Sequence, residues 1–150
     1  MIQEGYKKLG IYQKSHQLAV KVHEMTMKLP KFEMYEEGSQ IRRSAKSIPS
    51  NIVEGYCLRK HKNEFLLYLN RAYASSEETI EHLEILFETK SLGDEDLYKS
   101  LGERYEQLCK MVFKFIQSVG ERHEKPFYVK EENTPYGLGN KPPQSEIRNL

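Results

Sequence analysis

Five histidines and two cysteines have the widest chemical repertoire in this 150-residue chain. Neither set is spaced for metal binding or nucleophilic work. His16, His23, His61, His82 and His123 include no HExxH pair, the spacing that turns two imidazoles toward one zinc ion on a helix face. Cys57 and Cys109 form no CxxC motif and sit in apolar helical patterns, as reduced thiols of a cytosolic protein do. His82 adjoins Glu78 and Glu81, the nearest approach to a di-metal carboxylate site. Such a site needs Glu-x-x-His on a second helix as well, and that repeat is missing. Asn51 and Glu54 stand three apart, but one carboxylate with an amide lacks the second titrating group of acid–base catalysis. The reading for this chemistry is non-enzymatic, with no catalytic residue, metal or cofactor.

The same polar residues have a structural use. Ser47, Pro49, Asn51, Glu54, Ser75 and Glu78 are expected to form a polar cluster that sets helix register, with Asn51 donating to Glu54. Ser75 and Glu78, again three apart, are placed to meet that pair across the bundle. The run Ala72-Tyr73-Ala74-Ser75-Ser76 puts small side chains on most faces of its helix and allows a close crossing.

Charge is the stronger functional signal. Twenty-three Lys and Arg against 22 Asp and Glu leave a formal charge of +1, but the signs are segregated. Between Arg42 and Lys62 six bases (Arg42, Arg43, Lys46, Arg59, Lys60, Lys62) face one acid, Glu54; between Ser76 and Glu106 ten acids face three bases. The basic set predicts contact with RNA or DNA backbone that is indifferent to sequence and weakened by salt. The competing reading is a protein-interaction scaffold in which opposite charges serve subunit assembly or the docking of a partner such as a polymerase.

Positioning these residues falls to four amphipathic segments. Ile11, Ser15, Leu18, Val22, Met25 and Leu29 make the first stripe, stopped by Pro30. Ile41, Ala45, Ile48 and Ile52 make the second, with Pro49 inside it and a kink or break expected there. Phe65, Leu69, Ala72, Ser76, Ile80, Leu83 and Phe87 make the third, capped by Asn63. Leu97, Leu101, Tyr105, Leu108, Val112, Phe115 and Val119 make the fourth, capped by Asp94 and ended by Gly120. The fold class is therefore all-α: an antiparallel up-down four-helix bundle over residues 1–120. Residues 121–150 carry four of the six prolines and read as a tail, either disordered or extended as an arm onto a neighbouring subunit. No run of 18 apolar residues and no apolar leader are present, so the chain reads as cytoplasmic and not membrane-bound.

Leu29 to Gly55, LPKFEMYEEGSQIRRSAKSIPSNIVEG, resembles the signature of the four-helix-bundle family encoded by intervening sequences in bacterial 23S ribosomal RNA genes. Phe65, Leu69, Ala72, Ala74, Ser75 and Glu78 are similar to its second block, though the family often has Gly where this chain has Ala74. The resemblance covers residues 11–119. It implies a bundle that assembles as a ring-like homopentamer. A related branch serves as accessory protein of diversity-generating retroelements, in contact with nucleic acid and a reverse transcriptase. No catalytic residue is implied.

Overall fold

The computed structural model describes residues 5–132, with side chains to residue 122. Among these residues every element is helical: a 3₁₀ turn at Tyr6–Lys8, then α1 (Gly10–Thr26), α2 (Lys31–Tyr35), α3 (Glu37–Cys57), α4 (Lys62–Glu88) and α5 (Glu95–Glu132). The four long helices form the bundle. Residue pairs give their directions. Ser44 meets Thr79 while Gly55 meets Phe65, so α3 and α4 run antiparallel. Phe65 meets Phe115 and Phe87 stacks on Tyr98, so α4 and α5 do as well. Lys14 bonds Gln107 and Arg42 reaches Thr26, which closes the ring through α1.

The stripes make the core. Ile41, Ala45, Ile48 and Ile52 are all fully buried, as are Leu69, Ala72, Tyr105, Leu108 and Val112. On α4 the buried line keeps a strict seven-residue repeat, so Thr79 and Leu86 are buried where the expected stripe had Ile80 and Phe87, which are only partly covered.

Three boundaries differ from the sequence reading, and of the kink or break expected at Pro49 the break is absent. Pro30 does not stop α1, which ends at Thr26; it precedes α2, with φ −51° already suited to a helix start and no amide to leave unbonded. Pro49 does not break α3, which runs through it with the ring buried. Neighbouring carbonyls are served by side chains, Ser50 Oγ donating to Lys46 and Asn51 Nδ2 to Ser47. Asn63 lies inside α4, whose N-cap is His61. Gly120 does not end α5, because it lacks the left-handed backbone of a helix-terminating glycine. The expected Asp94 cap is present, its Oδ1 accepting the Leu97 amide at 3.0 Å. The left-handed residue at the end of α4 is Lys90, at φ 66°. The Pro- and Gly-rich tail beyond residue 132 lies outside the described residues.

Candidate nucleic-acid interface

Three of the basic candidates lie on the first half of α3. Arg43 and Lys46 project from its outer face and are exposed. Arg42, one residue earlier, turns inward and is half-buried. Its guanidinium donates to Thr26 Oγ1 at 2.9 Å and to the Met34 carbonyl at 2.8 Å, tying α1 and α2 to α3. Arg42→Ala should therefore cost about 2 kcal/mol, since buried Thr26 and the half-buried Met34 carbonyl lose a charged donor. Arg43→Ala should stay within about 0.5 kcal/mol, and paired urea midpoints check the contrast.

Arg59, Lys60 and Lys62 form a second group at the α3–α4 turn. It lies roughly 20 Å along the helix axis from Lys46, at 1.5 Å per residue. The six candidates are thus two groups, not one patch. Arg59 and Lys60 are exposed and Lys62 is half-buried. The Arg59 guanidinium lies 4.1 Å from the Tyr56 ring centroid and donates to the Tyr56 carbonyl at 3.0 Å, which holds it in place.

The fold adds two cations that spacing in the chain does not disclose. The 3₁₀ turn packs on the end of α3, where a Cβ on Gly5 would lie 3.6 Å from Tyr56 Cε1, and this brings exposed Lys7 and Lys8 to the same end of the bundle. Among the described residues none of these five cations takes part in an ion pair. Arg59, Lys60 and Lys62 flank the N-terminus of α4, where no side chain caps the first-turn amides. A helix start of this kind carries unbonded N–H groups and the positive end of the helix dipole.

The charge segregation becomes a division of the molecule. Residues 5–60, which supply α1 to α3, contain eleven bases and five acids; residues 62–122 of α4 and α5 contain eight bases and twelve acids.

The polar cluster is rearranged. Asn51 donates to the Ser47 carbonyl at 2.8 Å rather than to Glu54, which is exposed. Across the α3–α4 seam Ser47 donates to Ser75 and Thr79 to Ser44 at 2.9 Å, so hydroxyls make the contact expected of Asn51 and Glu54. Pro49 is buried on the α1 side. Glu78 faces His82 Nε2 at 3.1 Å, and the other ring nitrogen contacts Glu37, a partner that the local pattern around His82 omits. Such long-range polar partners leave no trace in a single helix's periodicity.

Among the described residues no three His, Cys, Asp or Glu side chains come together to hold a metal ion. Cys109 is buried, and desolvation with Glu77 beside it pushes its thiol up to about 12, so it is a neutral thiol at pH 7 and a poor nucleophile. No helix among the described residues is long and apolar enough to cross a membrane.

Fold and surface define an all-helical antiparallel bundle with one basic end. The chain belongs to the 23S rRNA-intervening sequence protein family, whose model matches residues 7–114, from the 3₁₀ turn well into α5. Among solved structures it is similar to a protein of unknown function from the S23 ribosomal protein family of Bacteroides thetaiotaomicron VPI-5482. The TM-score is 0.61 and the identity 27%, over 71% of this chain and 97% of that one. Comparison with curated proteins gives no match.

Proposed function

We propose that this protein is a non-enzymatic, cytoplasmic homo-oligomer that binds the phosphate backbone of RNA or DNA without regard to sequence. The observation that carries the reading is that Arg59, Lys60 and Lys62 flank the uncapped start of α4, with exposed Lys7 and Lys8 at the same end of the bundle. Cations without ion-pair partners beside free amides suit phosphate oxygens, and binding gains from the release of counterions. A pentamer, the assembly that family resemblance suggests, repeats the basic end once per subunit and turns a weak contact into an avid one.

The test is gel retardation of structured RNA and duplex DNA at low salt by the full chain and by Arg59→Glu/Lys60→Glu/Lys62→Glu. The expected result is retardation by the first and none by the second, with the helical circular-dichroism signal unchanged. Equal retardation by both would overturn the assignment.

A second reading has its own observation: bases gather on α1–α3 and acids on α4–α5 of one molecule. Opposite faces of this kind suit docking between copies, or of a partner protein such as a polymerase. Under that reading the charge-reversed variant loses mass in light scattering instead of losing nucleic acid.

A further inference from the structure

Among the described residues the most exposed large apolar side chains are two aromatics on one short helix. Phe32 is 65% and Tyr35 is 71% exposed on α2. Three apart on a helix, they share a face, with Cβ atoms about 5–6 Å from one another. Met27, at the preceding elbow, is 48% exposed. Neither ring contributes appreciably to the core, so folding does not account for them.

The backbone beneath the rings is nonetheless firmly held. Arg42 Nη2 donates to the Met34 carbonyl from below. Glu33, almost fully buried, accepts the Glu37 amide at 3.2 Å and the Ser91 hydroxyl. Leu29 is buried just before the helix. Two outward rings on a platform fixed at three points lose little freedom when something stacks on them.

The surroundings point to a polyanion. Lys28 and Lys31 are exposed beside the rings, and Arg43 and Lys46 follow on the outer face of α3. The nearby acids are Glu36, exposed at the end of α2, half-buried Glu37, and Glu24 and Asp94, which line the hollow beside Lys28. Arg59 and Lys60 lie at the opposite end of α3, about 30 Å away for its 21 residues, with exposed Glu54 between the two groups.

Resting on the backbone-binding reading above, we infer that α2 is a base-stacking platform, and that the nucleic acid preferred by this protein is single-stranded. Bases paired inside a duplex do not offer their faces to a protein surface. In a single strand they stack on aromatic rings whatever their identity, while Lys and Arg follow the phosphates.

The chain contains no tryptophan, so Tyr35→Trp places a sole reporter on the platform. Its fluorescence should be quenched on titration with a 20-nucleotide oligouridine and left unchanged by a 20-base-pair duplex. In anisotropy with the same two probes, Phe32→Leu/Tyr35→Leu keeps the apolar bulk and removes the rings. It should lose about tenfold or more in affinity for the single strand and stay within about twofold for the duplex.

Unchanged single-strand affinity in the leucine variant, or equal losses on both probes, overturns the platform while leaving the basic end standing. A fall in oligomer mass in that variant also overturns it and makes the rings a contact between copies. Failure of the unmodified chain to bind either probe at low salt overturns the backbone reading, and the platform with it.

Discussion

Tyr105→Phe should stabilise the bundle by about 1 kcal/mol, against a loss of about 3–5 kcal/mol for Tyr105→Ala. Tyr105 is fully buried on α5, and its hydroxyl has no hydrogen-bond partner among the described residues. Burial pushes its ionisation well above the usual tyrosine range, so the group is a neutral, unpaired O–H in an apolar setting. Removing the oxygen relieves that desolvation and leaves the ring packing intact. Removing the ring opens a cavity at the centre of the stripe formed by Leu101, Leu108 and Val112. Urea midpoints of the two variants check the contrast, and a phenylalanine variant less stable than the parent would mean that the hydroxyl has a partner.

Gly38→Ala should be the most damaging single-methyl change, at about 2–3 kcal/mol. Gly38 is buried in the first turn of α3, and a Cβ there would sit 2.8 Å from the Glu33 backbone carbonyl and 3.3 Å from Leu29 Cδ1. The nearest obstacle is backbone, which cannot rotate aside. Relief therefore requires moving α2 away from α3, which breaks the Arg42–Met34 contact as well. Gly102→Ala on α5 is the control: nothing lies within 4 Å of its would-be Cβ, and the alanine should stabilise by a few tenths to about 1 kcal/mol through helix propensity. Thermal unfolding of both variants decides the point, and equal midpoints would contradict the close approach of α2.

The contrast between Gly38 and Gly120 shows how much of the fold was legible in the sequence. The long-range architecture was readable, because burial of one apolar stripe per helix leaves a periodic record: Ile41, Ala45, Ile48 and Ile52 all reach the core. Termini were less so. Gly120 reads as a stop, yet a glycine ends a helix only where the backbone turns left-handed, and here Lys90 adopts that conformation instead. The five-residue α2 was hidden because it has no stripe of its own; Arg42, Glu33 and Leu29 hold it from outside.

The candidate site divides in the same way. The basic character of Arg42–Lys62 is local and visible in the chain. The inward turn of Arg42 and the arrival of Lys7 and Lys8 at the end of α3 depend on how helices meet, and a one-dimensional pattern does not record that.

The most direct test of the account is the salt dependence of nucleic-acid affinity for the full chain and for Lys60→Ala/Lys62→Ala. The account predicts a linear fall of log affinity with log salt, and a slope about two units shallower in the variant, one for each phosphate contact removed. Parallel lines for the two proteins, or no binding at low salt, would contradict it.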